Sequence, residues 1–288
     1  MKKLTRKLFI SVLVAVFAFV ALGTSTYAWI TISTTAHVQE FSAKVDAGTA
    51  GIELSEDNAN WYSVLKLTTD FTKEDFWLDD VTTKDCESFT NFVSNGNQMI
   101  EEATTEGFIE ETIYIRRSSE TTGQTVVNIN DVVFENLADA ADGVFKYGTT
   151  AQVTNLFATN ALRMSLVWTN NYDALGNAAE VENKVIYEQN TDDGNTSGQS
   201  ATGYAQAYAA FQGIELKQAN GTDDAVCTTY ASGIEVKQAG VASDNTIIIK
   251  DDEVIEINVK LWIEGWDSEC HANILTQSFS VAFGFKQQ

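Results

Sequence analysis

Residues able to hold a metal ion or act as nucleophiles are few and scattered along this chain. Its two histidines, His37 and His271, lie near opposite ends, and no H-E-x-x-H pair of the zinc-peptidase type is present. Potential ligands cluster only at Asp267, Glu269, Cys270 and His271. A run of this kind, without a second histidine nearby, is more often a solvated loop than a metal site. We therefore expect no metal and no cofactor.

Nucleophilic and acid–base catalysis also lack a suitable arrangement of residues. Cys270 and His271 are neighbours, and neighbours in an extended segment point to opposite faces. The sequence contains no glycine-rich phosphate loop and no G-x-S-x-G turn. Because the chain has 40 acidic residues, no carboxylate pair stands out as an acid–base couple. The sequence predicts no catalytic residues and a protein that is not an enzyme.

Three cysteines, Cys86, Cys227 and Cys270, allow at most one intramolecular disulfide and leave one thiol over. Cys86 and Cys270 both lie in acidic, surface-like contexts, KDCES and DSECHA. If a bridge forms, these two are the favoured pair. The cysteines do not specify a disulfide scaffold.

The N-terminal segment has the features of a secretory signal. Basic residues precede an apolar run over residues 8–23, and a small-residue pattern ends at Ala28. The apolar run is shorter than the ~20 residues that a membrane-spanning helix needs. We expect cleavage after Ala28 and a secreted protein, extracellular or at the cell surface. An uncleaved N-terminal anchor is the alternative.

The acidic balance of the chain limits its partners. The formal net charge is −22, and the signal segment carries basic residues but no acid. Nucleic acid and anionic lipid are bound by neutralising negative charge, so we expect neither partner. Membrane contact is expected only through the N-terminal segment, if it stays uncleaved. The expected partners are copies of this chain or related surface subunits.

Alternation of apolar and polar residues over short segments indicates β-strands. In segment 254–264 the apolar residues of one face run from Ile255 to Ile263, and segment 278–285 alternates in the same way. The residues predicted to face solvent in the first of these segments are Glu256, Asn258, Lys260 and Glu264. Region 70–97 has no consistent period and is predicted to be a long loop with a helical turn or two.

These patterns predict an all-β protein, a β-sandwich of jelly-roll type with long loops and one or two short helices. The expected organisation is a signal peptide over 1–28, an N-terminal strand segment over 29–46, and a sandwich domain over 47–288. One internal repeat is visible, G-I-E-[LV]-K-Q-A, at 213–219 and again at 233–239. Two copies do not make a solenoid, so we expect two related strands in one hairpin or sheet.

The start of the mature chain resembles a known family. The signal is followed directly by TYAWITISTTAHV and later by AGIELS, which is similar to the TasA/camelysin-like exported proteins of Firmicutes. The C-terminal stretch WIEGWDSECHANIL also resembles a segment of such proteins, whereas the middle of the chain is not covered. The resemblance implies a secreted jelly roll that polymerises into matrix fibres by donor-strand complementation.

Strand exchange is also plausible from the residues themselves. A strand added to an open sheet edge gains main-chain hydrogen bonds, and alternate side chains fill pockets. Trp29, Ile30, Ile32 and Val38 are the residues that we expect in such an assembly strand. The alternatives are that this segment pairs within its own sheet or forms a disordered tail.

A surface binding module is the second hypothesis. Trp262 and Trp266 are candidates for a sugar-stacking face, together with the glycine-rich loop at 190–203. Packing of these tryptophans against a covering loop is the alternative. The hypothesis therefore requires that both rings are exposed.

Overall fold

The computed structural model describes most of the chain after its first 36 residues. The described strands belong to one compact unit, Thr34–Gln288. The residues described are 37–45, 51–67, 78–96, 98–118, 123–137, 157–189, 215–225, 230–251, 253–267, 270 and 277–288.

Fifteen β-strands and one short helix, α1 (Ala158–Ala161), make up the regular structure of the described residues. The strands are β1 (His37–Val45), β2 (Ile52–Ser55), β3 (Val64–Lys66), β4 (Asp80–Thr83), β5 (Phe89–Asn95), β6 (Gln98–Thr104), β7 (Ile109–Arg117), β8 (Thr125–Asn136), β9 (Leu162–Tyr172), β10 (Ala178–Glu188), β11 (Glu215–Lys217), β12 (Ile234–Gln238), β13 (Thr246–Ile249), β14 (Val254–Glu264) and β15 (Ser278–Gln287).

The strands form two sheets. The five-stranded sheet has the order β13-β8-β15-β1-β3, and the ten-stranded sheet has the order β11-β6-β5-β4-β14-β9-β10-β12, with β7 paired to β14 and β2 paired to β7. On one side β14 pairs with β9, and on the other it pairs first with β7 and then with β4. The all-β sandwich prediction is confirmed. The sheets hold more strands, and more parallel pairs, than an eight-stranded jelly roll.

The main core lies between the two sheets, where the alternating apolar faces of β14 and β15 meet. Ile257, Val259 and Leu261 are fully buried on one side, and Phe279 and Phe283 are fully buried on the other. The predicted alternation is therefore confirmed for β15 and for the inward face of β14. Burying each such side chain stabilises the fold by roughly 1.5–3 kcal/mol.

Smaller clusters cover part of the outer face of the ten-stranded sheet. An outer cluster joins Trp262 to residues of β4, β5 and β10, and a Trp266 cluster joins that residue to Ala225. Two of the residues that were predicted to face solvent, Lys260 and Glu264, are consequently buried. The polar face of β14 is thus open at its start and covered at its end.

The prediction of a long loop over 70–97 is wrong for the part that the structure describes. Residues from Leu78 onward form β4 and β5, and β5 continues into β6 as a hairpin. Gly96 at the hairpin turn has φ of 69°, a conformation that glycine adopts without steric strain. The two strands do not follow an apolar alternation, because β4 (DVTT) carries two threonines and β5 (FTNFVSN) carries Thr, Asn and Ser among its apolar residues.

Candidate functional site

Strand β1 is the first described part of the chain and lies inside the five-stranded sheet. It pairs in parallel with the C-terminal strand β15, from His37 beside Ser278 to Val45 beside Phe285. Its other edge pairs antiparallel with β3, but only over residues 42–44. Within the described residues, the first half of β1 therefore has β15 as its one paired neighbour.

The side chains of the second half of β1 fill the main core. Phe41 and Ala43 are 1% and 0% exposed, and the ring centroid of Phe41 lies 5.9 Å from that of Phe283. Leu65 of β3 is also buried in the main core. Removal of β1 would therefore uncover an apolar cleft between β15 and β3. The alternation of apolar residues at 41, 43 and 45 is what allows this strand to fill the cleft.

A bulge interrupts β1 near its start. Val38 lies beside Phe279 and Glu40 beside Ser280, so Gln39 is the extra residue. Because of this extra residue, positions 38 and 41 have the same phase along β15. The period of two seen from Phe41 onward is therefore interrupted at Gln39, between Val38 and Glu40.

The predicted assembly strand only partly coincides with β1. Val38 belongs to β1 and pairs with Phe279 of its own chain, which was the alternative given for the segment. Trp29, Ile30 and Ile32 lie outside the described residues. The strand that the structure shows inserted in the sheet, β1, is thus centred nearer the C-terminus than the predicted assembly strand.

Trp262 and Trp266, the predicted ligand face, are both buried in the structure. Trp262 is 0% exposed and Trp266 is 4% exposed, whereas a sugar-stacking ring needs an open face. Phe89 packs edge-on against Trp262 at 5.4 Å, and Phe92 packs edge-on against Trp266 at 5.3 Å. Both rings pack against covering segments. The loop at 190–203, the other part of that hypothesis, lies outside the described residues.

The most strongly charged buried group is a network around Arg163. Its Nε lies 2.9 Å from Oε2 of Glu188, and its Nη2 donates to Oδ2 of Asp267 at 2.7 Å. Both ion pairs are fully buried. Nη1 of Arg163 also donates to the carbonyl oxygens of Asn160 and Leu162, at 3.1 Å each. The guanidinium therefore holds together the ends of β9, β10 and β14.

Sequence reasoning missed this network. Asp267 was expected in a solvated loop, but it is buried against Arg163, and that expectation is wrong for Asp267 and for Cys270. Arg163 stands in β9 between Leu162 and Met164, which are both buried in the main core. Its partners lie far away in the sequence, so no local pattern identifies them. Glu269 and His271, the other members of the predicted cluster, lie outside the described residues.

Glu264 is a third buried carboxylate close to this network. It accepts hydrogen bonds from Nε1 of Trp262 at 3.0 Å and from the backbone amide of Trp266 at 3.2 Å. Burial raises the pKa of Glu264 above its ordinary value, although these donors and Arg163 favour the ionised carboxylate. The network thus places three carboxylates around one guanidinium.

The favoured disulfide between Cys86 and Cys270 does not form. Both are free and buried, Cys86 in the outer cluster and Cys270 in the main core, on opposite faces of the ten-stranded sheet. Burial raises the pKa of Cys86 to about 12, so its thiol stays protonated at neutral pH. The prediction of this pair is wrong because the sheet separates the two thiols, and the local sequence around a cysteine does not show on which face it lies.

The two copies of the sequence repeat occupy opposite ends of the ten-stranded sheet. β11 pairs in parallel with β6, and β12 pairs in parallel with β10. They share one sheet, as expected, but they do not form a hairpin. Each is an edge strand with the same charged arrangement, which we call the edge clasp.

In each edge clasp a lysine on the strand contacts an aspartate seven residues later. Lys217 Nζ lies 2.7 Å from Asp224, and Lys237 Nζ lies 2.8 Å from Asp244. Each lysine also contacts the glutamate two residues before it. Charged side chains and a returning chain at a sheet edge hinder pairing with other molecules. The repeat therefore protects both ends of this sheet.

Within the described part of the chain, no group of three or more His, Cys, Asp or Glu residues is placed to hold a metal ion. Of the described helices, none has the length and apolar character needed to cross a membrane. Comparison with known proteins gives no match among family models, curated proteins or solved structures. The function is accordingly argued from the residues themselves.

Proposed function

We propose that this chain is an exported structural subunit of the cell surface or extracellular matrix, and that it polymerises by exchange of β1. In the polymer, β1 of one copy lies between β15 and β3 of the next. The observation that carries the proposal is the position of β1. This N-terminal strand is inserted between β15 and β3, and it adjoins neither of them in the sequence. Secretion is supported by the signal-like residues 1–28, and fibre formation by the resemblance of the segment after them.

Exchange of β1 preserves the contacts of the folded chain. The same register with β15 and the same burial of Phe41 and Ala43 are available within one copy or between two. Exchange of an identical element is therefore a low-cost route to assembly, and a head-to-tail exchange that does not close gives a filament. The connection from β1 to β2 contains Gly48 and Gly51, and Gly51 has φ of 106°. A glycine-containing connection accommodates the change in chain direction that exchange requires.

The rest of the molecule supports β1 as the site of assembly. Both ends of the ten-stranded sheet carry an edge clasp, and β13 of the other sheet is bridged by Asn170. Nδ2 of Asn170 donates to the carbonyl of Thr246 at 2.7 Å, and its Oδ1 accepts from the amide of Ile248 at 3.0 Å. Sheet edges that carry charged pairs, or that a side chain bridges, resist unspecific pairing with other molecules. The protection of these edges favours a specific strand exchange as the way in which copies share a sheet.

A reducible disulfide that holds β1 in its own sheet, called here the β1 lock, tests the proposal. Ser42 lies beside Ala282 in the β1–β15 register, and Ser42→Cys with Ala282→Cys places two thiols on neighbouring strands. In a Cys227→Ser background, oxidation is expected to hold β1 in its own sheet and to stop fibre growth seen by electron microscopy. Reduction is expected to restore growth.

A matched pair serves as the control. Asn91 lies beside Glu102 in the β5–β6 hairpin, so Asn91→Cys with Glu102→Cys makes an equivalent bridge away from β1. Oxidation of this variant is expected to leave growth unchanged. Fibre growth in the oxidised β1 lock, or no fibres from any variant at any ionic strength, would refute the proposal.

A further inference from the structure

A groove opens on the uncovered part of the outer face of the ten-stranded sheet, between the end of β9 and the start of β14. Its volume is about 400 Å³. Pairing of the two strands ends at Ile257 and Trp168. Beyond that point β14 stays with β7, where Glu256 lies beside Tyr114, while Asn170 ties β9 to β13 of the other sheet. The groove exists because the two strands diverge toward different neighbours.

Hydrogen-bonding side chains line this groove. Thr169 and Asn258 are half-buried, and Asn171 and Glu256 are exposed. Nδ2 of Asn171 donates to Glu253 at 2.8 Å, and Nδ2 of Asn258 donates to Glu110 at 2.7 Å. These bonds fix the orientation of both amides, one at each end of the groove. Val254, 37% exposed, adds apolar surface beside them.

We propose that this groove binds an uncharged carbohydrate. Sugar hydroxyls both donate and accept, so they match amide groups, a threonine hydroxyl and a carboxylate acceptor. The C–H face of a sugar ring matches the methyl groups of Val254, and the groove volume falls within the roughly 300–1,000 Å³ of ligand sites. The carboxylates of Glu110, Glu253 and Glu256, in a chain of net charge −22, repel anionic polymers.

A carbohydrate fits the groove better than a peptide strand does. A peptide adds to a sheet through a free edge in the plane of the sheet. Here β9 and β14 keep their outer neighbours, β10 and β7, and they are paired with each other from Ile257 onward. At the groove, only residues 254–256 of β14 lie free of β9, and such a short edge offers few main-chain hydrogen bonds to a peptide. A small polar ligand that binds on the face of the sheet leaves all of these strand pairings intact.

This inference does not depend on strand exchange. The groove belongs to the ten-stranded sheet, whereas β1 belongs to the five-stranded sheet. The oxidised Ser42→Cys, Ala282→Cys variant is therefore expected to bind carbohydrate as the wild type does. Loss of fibre formation and loss of carbohydrate binding are then separate results.

The test is titration calorimetry of the exported chain with neutral tetrasaccharides of glucose, mannose and N-acetylglucosamine, and with tetragalacturonate as the anionic comparator. At least one neutral tetrasaccharide is expected to bind, and tetragalacturonate is not. Asn258→Ala, which removes an amide, and Thr169→Arg, which fills the groove, are each expected to weaken binding about tenfold or more.

Asn128→Ala is the control, because Asn128 is a half-buried amide of β8 in the other sheet. Its affinity is expected to equal that of the wild type, and thermal melting checks that each variant is folded. The inference is overturned if no neutral tetrasaccharide binds, if tetragalacturonate binds as well as a neutral one, or if the two groove variants bind normally.

Discussion

Arg163 illustrates how a single residue organises distant parts of this chain. Its guanidinium is fully buried between Glu188 and Asp267. Two buried carboxylates without their cation are strongly unfavourable, because burial removes the water that would otherwise solvate them. The network therefore makes the fold sensitive to Arg163 while adding little net stability over an apolar core.

Arg163→Ala is expected to lower the free energy of unfolding by about 3–5 kcal/mol, because it leaves uncompensated buried charges. Urea denaturation measures the change. Arg116→Ala is the control, since the Arg116–Glu53 pair is partly solvated and is expected to contribute about 1 kcal/mol or less. Similar losses for the two variants would contradict the role of the buried network.

The raised pKa of Glu264 gives a pH dependence with a definite sign. A carboxyl with a raised folded-state pKa holds its proton more tightly when folded, so its contribution is present below the unfolded pKa and is lost as pH rises through the folded pKa. Glu264→Gln removes this titration. The stability of the variant relative to wild type is therefore expected to increase as pH rises from acid to neutral.

Urea denaturation at several pH values between 4 and 8 measures this difference. Glu256→Gln is the control, because Glu256 is exposed on the same strand. Its stability relative to wild type is expected to change little over this range. A difference for Glu264→Gln that stays constant, or falls with rising pH, would show that the folded protein does not raise the pKa of Glu264.

At the scale of the element, β1 depends on a small number of buried side chains. Phe41 is 1% exposed and packs against Phe283. Phe41→Ala is expected to lower the free energy of unfolding by about 3–5 kcal/mol. If β1 occupies the same cleft in the fibre, the resistance of fibres to urea is expected to fall by a comparable amount.

Ser42→Ala is the control for this prediction, because Ser42 is a half-buried neighbour on the same strand. Its effect on both measurements is expected to stay within about 0.5 kcal/mol. Fibres of Phe41→Ala that keep wild-type resistance to urea would argue that another segment joins the subunits.

Elements with a strict local period were predictable from the sequence, and their partners were not. The inward faces of β14 and β15 follow from alternation alone, as does the burial of Phe41 and Ala43. The pairing of β1 with β15 joins opposite ends of the chain, and no local pattern encodes it. The burial of Trp262 depends on Phe89 of another strand, so one strand read alone placed it at the surface.

At the scale of the molecule, the edge clasps keep association specific. Replacement of Lys217 and Lys237 by Thr removes the positive charge from both edge strands, breaks both lysine–aspartate pairs and leaves residues that favour β-structure. We expect this double variant to form thioflavin-positive aggregates even when β1 is locked by the Ser42–Ala282 disulfide. Light scattering and thioflavin fluorescence measure the change.

Lys286→Thr is the control for charge alone, because Lys286 is exposed on the end of β15 in the other sheet. This variant is expected to remain as soluble as the wild type when β1 is locked. Equal solubility of the double variant would mean that the clasps do not protect the sheet edges.

Assembly by strand exchange requires β1 of one copy to enter the sheet of another, and a mixing experiment measures that transfer directly. One population carries only Ser42→Cys and the other only Ala282→Cys, both in the Cys227→Ser background. These positions are neighbours in the β1–β15 register. After co-assembly and oxidation, exchange of β1 predicts disulfide-linked dimers that contain one chain of each kind. We expect these dimers in the fibre fraction and not in the monomer fraction. Fibres that form from the mixture without such dimers would contradict it.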